Sequence, residues 1–270
     1  MEGANMNIIV LVKAVPDSEA RMSLKPEGSG LVIEEKYELN YFDELAVEAA
    51  VRLKEATVDS MVTAITYGPK RAMEAVRKAV SIGAEGGIHV EGPDEALSDP
   101  LTTARILAAS IHALPYDLIL CGRKATDDDA AQVGPMVAEL LGIPHVGAVV
   151  EVQIAPDQRS LIATRDDEGG QERVRCPIPA LLTAQKGLNE PRVPTIQGVM
   201  RGMRLQPKRL QSAELGLGEA DPNTRSGAWR AVGFREPPRR RPVRIIEGPD
   251  ARSKARELVR ILSEEIRILG

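Results

Sequence analysis

Aromatic residues are scarce in this chain, at 3% of 270 residues with a single Trp, Trp229. A core must therefore rest on Val, Ile, Leu and Ala, which suits a buried parallel sheet. Cysteine is nearly absent. Cys121 and Cys176 make neither a disulfide framework nor a metal cluster, and the expected compartment is reducing and cytoplasmic. Long apolar runs are missing too: a stretch such as Ile8 to Val12 falls far short of the ~20 residues a membrane span needs. The opening Met1-Glu2-Gly3-Ala4-Asn5 lacks the basic and apolar segments of a secretion signal. There is no Walker A lysine loop, and no G-x-G-x-x-G follows the first apolar run, which argues against a standard ATPase, kinase or dinucleotide-binding enzyme. His89, His112 and His145 lie far apart in sequence and read as structural, and no Ser-His-Asp order is present.

The net charge of −4 conceals an asymmetry. Residues 1–185 carry a net of −12 and residues 186–270 a net of +8. A basic tail with few aromatics to stack bases points to docking on an acidic protein surface, not to nucleic acid.

Asn7 to Lys13 reads as a central strand, and Met22 to Ile33 as a hairpin around Pro26-Glu-Gly-Ser-Gly30. Apolar periodicity predicts helices over Asp43–Glu55, Lys70–Ser81, Thr102–Ala113 and Ala131–Leu141. These alternate with strands at Met61–Thr66, Gly87–Val90 and Asp117–Gly122. The alternation predicts an α/β fold, a mostly parallel sheet with helices on both faces. Val146–Ile154, Leu161–Arg165, Glu172–Arg175 and Ala180–Ala184 read as an antiparallel meander added to it. Residues 186–243 read as an irregular arm, followed by an amphipathic helix over Ser253–Leu269. The organisation expected is an α/β domain over 1–203 and an arm with a terminal helix over 204–270.

The stretch most informative about chemistry is Cys121-Gly-Arg-Lys-Ala-Thr-Asp-Asp-Asp-Ala-Ala-Gln-Val-Gly-Pro135. It leaves the carboxyl end of a strand and enters a helix, the place where open α/β sheets bind ligands and where free N–H groups can hold a phosphate. Three consecutive aspartates look wrong for an anion. Their side chains could turn away to cap the helix while the backbone N–H groups face the phosphate, or the site could take a cation; Arg123 is available to offset the charge. From these residues alone, a plain helix cap and a nucleotide site stand as alternatives. Cys121 reads as core and not as a nucleophile.

Nearly the whole chain resembles the β subunits of electron transfer flavoproteins. The resemblance runs through Val10-Leu-Val-Lys13 with Pro16-Asp17, Asn40-Tyr-Phe-Asp43 before its helix, Tyr67-Gly-Pro69, and Ala163-Thr-Arg-Asp-Asp-Glu-Gly-Gly-Gln-Glu-Arg-Val174 continuing to Thr183. Tyr41 stands where the family usually has proline. The resemblance implies an adenine-nucleotide hydrolase-like fold and a heterodimer with an α subunit that holds most of one FAD. It also implies either AMP or a second FAD in this subunit. By position, that nucleotide would touch Leu11, Asn40, Tyr41, Phe42, Asp43 and Tyr67. From the aspartate stretch it would touch Gly122, Arg123, Lys124, Ala125, Thr126, Asp127, Asp128, Asp129, Ala130, Ala131, Gln132, Val133 and Gly134. The triple aspartate and Leu188-Asn-Glu-Pro-Arg192 look like AMP-binding members, whereas Ala131-Gln-Val-Gly-Pro135 with Leu141-Gly-Ile-Pro144 looks like electron-bifurcating ones. FAD is favoured, because the segment that opens the helix governs the phosphate cradle.

The resemblance also makes Asn189–Met203 a recognition loop for acyl-CoA or related dehydrogenases, with Ile196 as an apolar anchor. A quinone oxidoreductase or ferredoxin would be a further partner. No catalytic residue, metal, nucleic acid or direct membrane insertion is implied. The competing class is an adenine-nucleotide-binding regulator of the stress-protein type, which would form a homodimer. A nucleotide-dependent ligase would need a Ser- and Gly-rich loop after the first strand, and Ala14-Val-Pro-Asp17 is not one.

Overall fold

The structure is a computed structural model that describes residues 5–57, 59–93, 99–216, 232–238 and 243–265. Its strands are β1 (Asn7–Leu11), β2 (Ala14–Pro16), β3 (Met22–Leu24), β4 (Leu31–Ile33), β5 (Tyr37–Leu39), β6 (Met61–Gly68), β7 (Gly86–Glu91), β8 (Leu118–Gly122), β9 (His145–Ile154), β10 (Ser160–Asp167), β11 (Gly170–Pro177), β12 (Ala180–Ala184) and β13 (Lys208–Gln211). The helices are α1 (Tyr41–Glu55), α2 (Met73–Ile82), α3 (Pro100–His112), α4 (Val133–Leu141), α5 (Ile196–Arg204) and α6 (Ala251–Arg260).

Nine strands form one sheet in the order β11-β10-β9-β12-β8-β1-β6-β7-β13. From β9 to β13 every neighbour is parallel, and only the β9–β10 and β10–β11 pairings are antiparallel. The period of two in the strands divides the core in two. Ile8, Val10, Leu118, Leu120, Ala180 and Leu182 point to one face, where α1 and α2 cover them with Leu45, Ala49, Leu53, Val76 and Val80. Ile9, Leu11, Ile119, Cys121 and Leu181 point to the other face, under Leu107, Ile111, Val137 and Ala138 of α3 and α4. Strands buried on both sides read as continuous apolar runs, which is why β1 and β8 are legible in the sequence.

Two parts of the expected layout change. β9, β10 and β11 form the antiparallel extension, but β12 is not its last member. It returns between β9 and β8 and pairs in parallel with both. Its fully buried Ala180 to Ala184 run has the signature of an interior strand. The stretch read as an irregular arm also contains ordered elements. α5 starts at Thr195, whose side chain accepts the Gly198 N–H, and it lies against α2. A Cβ on Gly198 would run into the Ser81 carbonyl, and one on Gly202 would sit 2.5 Å from the Arg77 carbonyl oxygen. The two glycines are spaced for close helix contact, although in sequence they read as loop residues. β13 then adds a charged edge strand beside β7.

The chain divides into a unit of residues 1–234 and a second of 235–270. In the second, Asp250 caps α6 by accepting the Ser253 N–H at 2.7 Å, and a π-helical turn, Ile261–Glu265, follows. Leu258 and Val259 of its expected apolar stripe are exposed. The part of that stripe at Ile266 and Leu269 lies outside the described residues.

Candidate functional site

From β1 the chain moves outward through β6 to β7. It then crosses back to β8 on the other side of β1. A crevice opens outside the carboxyl ends at such a reversal, because the connections that follow diverge to opposite sides. A cleft occupies this position. Leu11 to Ala14 line it from the end of β1, Tyr67 to Pro69 from β6, and Cys121 to Ala125 from β8; Gln132 to Gly134 open α4 on the same wall.

The loop between β8 and α4 is held by α1. Asn40 is the residue before α1, yet its side chain makes no helix cap. Instead its Nδ2 donates to the Lys124 carbonyl at 2.9 Å, and its Oδ1 accepts the Thr126 N–H at 3.2 Å. Asp43, one turn on, accepts the Lys13 N–H at 2.8 Å and the Gly122 N–H at 2.8 Å, joining the ends of β1 and β8. Burial pushes its pKa up to about 7, against the lowering effect of those two N–H donors, the Asn40 amide and the Lys13 charge. Gly122 must be glycine for this contact, since a Cβ there would lie 2.5 Å from Asp43 Oδ1 and 2.6 Å from Phe42 Cβ. Tyr41 occupies the first helical position, which tolerates proline because its N–H has no intrahelical acceptor.

The three aspartates do not cap α4. Gln132 precedes that helix and makes no side-chain cap. Asp127 and Asp128 pair with Lys13 Nζ at 2.8 and 3.0 Å, and Asp129 pairs with Lys124 Nζ at 2.6 Å. Burial pulls the Lys13 ammonium down, but Asp127 and Asp128 more than reverse this and leave it above its ordinary value. The counter-charges are therefore Lys13 and Lys124. Arg123, the sequence-predicted one, forms no ion pair among the described residues; its backbone N–H donates to the Ala184 carbonyl at 2.9 Å.

From the last aspartate onward the backbone takes positive φ at Asp129 (55°) and Ala131 (54°). For non-glycine residues such left-handed conformations cost about 1–3 kcal/mol each and persist where the surroundings enforce them. The Asp129 N–H is spent on the Ala125 carbonyl and the Ala130 N–H on Asp128. Among the described residues, the N–H groups of Ala131, Gln132, Val133 and Gly134 donate to no group of this chain. Those of Val133 and Gly134 lie in the first helical turn, where α-helices leave donors over. Leu11, Leu107 and Val133 give the cleft apolar wall nearby.

Of the sequence-predicted residues, Leu11, Asp43, Tyr67, Gly122 to Ala125, Asp127, Asp128 and Ala130 to Gly134 line the cleft. Asn40, Tyr41, Phe42, Thr126 and Asp129 do not. Asn40 and Thr126 are engaged with each other behind the loop, and Tyr41 is exposed. Sequence reasoning missed, among other wall residues, Lys13, Ile33, Tyr37, Arg71 and Leu107; the Arg71 guanidinium lies 4.5 Å above the Tyr37 ring. Only Lys13 carried a signal, as a cation ending the first strand at the same end of the sheet. Cys121 is buried beneath the cleft, and burial together with the Asp43 charge holds its thiol far above the ordinary range. No group of side chains suited to a metal ion occurs among the described residues. Nor is any helix among them long and apolar enough to cross a membrane.

A second surface stands on α5 and the segment before it. Asn189 Nδ2 donates to the Leu45 carbonyl at 2.9 Å, and Arg192 pairs with Glu48 at 2.8 Å and Glu55 at 2.6 Å, pinning the segment to α1. Past this anchor Val193 is 88% exposed and Ile196 86%.

Residues 30–214 match the family model for the electron transfer flavoprotein domain. The chain is 34% identical to the human protein named electron transfer flavoprotein subunit beta over 262 residues, covering 96% of this chain and all of that protein. It is 38% identical over 210 residues to the subunit beta of Thermoanaerobacterium thermosaccharolyticum, covering 77% of this chain and 79% of that one. For the subunit beta of Syntrophomonas wolfei the identity is 36% over 201 residues, covering 73% and 76%.

Proposed function

The chain belongs to the electron transfer flavoprotein family as a β subunit, and from that premise we propose that its cleft holds the adenylate part of a nucleotide within a heterodimer that carries electrons. Unspent N–H groups from Ala131 to Gly134, at the lip of a parallel sheet, carry this reading. Such a row binds phosphate through oriented N–H dipoles without needing a cationic side chain. The neighbouring apolar wall of Leu11, Leu107 and Val133 suits a flat base. AMP and FAD share the adenylate group, so the residues present fit either one, and a cation site is disfavoured because each of the three aspartates is already paired with Lys13 or Lys124.

A flavin held by the heterodimer supplies the redox chemistry. The residues of this chain bind and orient. Asp43 and Asn40 fix the loop after β8, and the N–H groups that open α4 hold phosphate. No side chain here has to act as an acid or base. In the same reading Ile196 and Val193, exposed above the Arg192 anchor, dock an acyl-CoA or related dehydrogenase. The exposed Leu258 and Val259 of α6 pack on the α subunit. A quinone oxidoreductase or ferredoxin would be the partner on the other side of the electron path.

Co-expression with the α subunit, followed by counting nucleotides in the purified heterodimer, tests this. One FAD with one AMP identifies simple transfer, and two FAD identify the bifurcating type. One FAD with no second adenylate would refute the proposed site.

A further inference from the structure

We propose that Lys13 is an electrostatic positioning residue for nucleotide phosphate: it offsets the negative charge that Asp127 and Asp128 share, so that a loop rich in negative charge can accept an anion on its backbone. The proposal rests on the adenylate reading of the cleft and gives Lys13 a part in phosphate binding beyond pairing with the aspartates.

Three observations lead to it. First, the loop carries Asp127, Asp128 and Asp129 within the same turn that leads to the unspent N–H groups of α4. Left alone, these charges would repel a phosphate more strongly than a few N–H dipoles attract it. Second, the compensation is divided unequally. Lys124 takes only Asp129, whereas Lys13 takes both Asp127 and Asp128. Removing Lys13 therefore exposes two carboxylates at once. Third, Lys13 is fixed from behind. Its N–H donates to the buried Asp43, and its carbonyl accepts the Asn40 N–H at 3.0 Å. Its side chain thus leaves a rigid point and reaches from β1 to the loop after β8. Asp127 keeps 16% of its side-chain exposure and Lys13 42%, so solvent screens the pair only in part.

A merely structural latch and an electrostatic one predict different behaviour. A latch shapes the whole cleft, so its loss weakens adenosine and AMP together. Charge compensation acts on the phosphate alone. The test uses the heterodimer with its α subunit, freed of exchangeable nucleotide and titrated calorimetrically with AMP and with adenosine. Lys13→Gln is expected to weaken AMP by about tenfold or more while adenosine changes by less than about twofold. Lys13→Arg should restore AMP binding. The triple variant K13Q/D127N/D128N should also recover it, since both carboxylates that Lys13 holds are gone and Asp129 keeps Lys124. Added salt should strengthen AMP binding to Lys13→Gln by screening the repulsion.

Equal losses for AMP and adenosine, an unchanged AMP affinity in Lys13→Gln, or a triple variant as weak as the single one would each overturn the role of Lys13 and leave the adenylate site standing. If the unaltered heterodimer binds neither compound, the adenylate reading itself falls.

Discussion

Replacing Asp43 by Asn isolates a charge that the fold buries beneath the cleft. The Asp43 carboxyl, ordinarily near 3.8, is raised to about 7, chiefly by burial and despite donation from the Lys13 and Gly122 N–H groups. Between those two values the native chain keeps a proton that the unfolded chain has released. Stability from this group is therefore complete below about pH 4, falls as pH rises, and levels off above about pH 7. Each pH unit is worth about 1.4 kcal/mol, so the interval from pH 5 to pH 7 removes about 2–3 kcal/mol. Asparagine stays neutral throughout and abolishes this slope. It also brings an amide NH2 against one of the two backbone N–H donors, a pH-independent cost of about 1–3 kcal/mol. Thermal unfolding of both heterodimers at pH 5 and pH 7 measures the difference. By pH 5 the natural protein has already lost about 1–2 kcal/mol of this stability, close to the asparagine cost, so the two should unfold at similar temperatures there, and the variant should lie about 5 °C or more above the natural protein at pH 7, at about 2–4 °C per kcal/mol. A gap of the same size at both pH values would refute the reasoning. It would mean that the two N–H donors outweigh burial and keep Asp43 ionised throughout.

Three further outcomes follow from the same geometry. Gly122→Ala drives a methyl into Asp43 Oδ1 and Phe42 Cβ, so it should cost about 1–3 kcal/mol and lower nucleotide retention, measured by denaturation and by nucleotide content after gel filtration. Cys121, buried and with its thiol pushed far up, should stay unreactive toward a thiol reagent at pH 8 in the native protein and react only on unfolding. Ile196→Asp should slow electron transfer from a partner dehydrogenase by about tenfold or more, with an unfolding temperature within about 1 °C of the original because the side chain is already exposed; equal rates would exclude Ile196 from docking.

The α/β alternation was legible because its elements are locally coded. β1 and β8 are continuous aliphatic runs, and α1 repeats Leu45, Ala46, Ala49, Ala50 and Leu53 on one face. The hairpin of β3 and β4 followed from its Pro and Gly turn. α5 escaped notice because Gly198 and Gly202 weaken a helix read in isolation and make sense only against Arg77 and Ser81 of α2. β13 was hidden by its Lys and Arg, which suit an edge strand but resemble a solvated loop.

By itself, then, the chain's order of residues determined the family, the parallel sheet and the stretch from Gly122 to Gly134 as the place to look. Those features depend on periodicity, on turn residues and on neighbours close in the chain. Tertiary structure alone decided that β12 returns between β8 and β9, and that Lys13 meets aspartates more than a hundred residues away. It also decided that Asn40 and Asp43 brace the loop from behind. The physical reason is that charge pairing and hydrogen bonding act over a few ångströms in space, and only the order of strands in the sheet brings the ends of β1 and β8 that close.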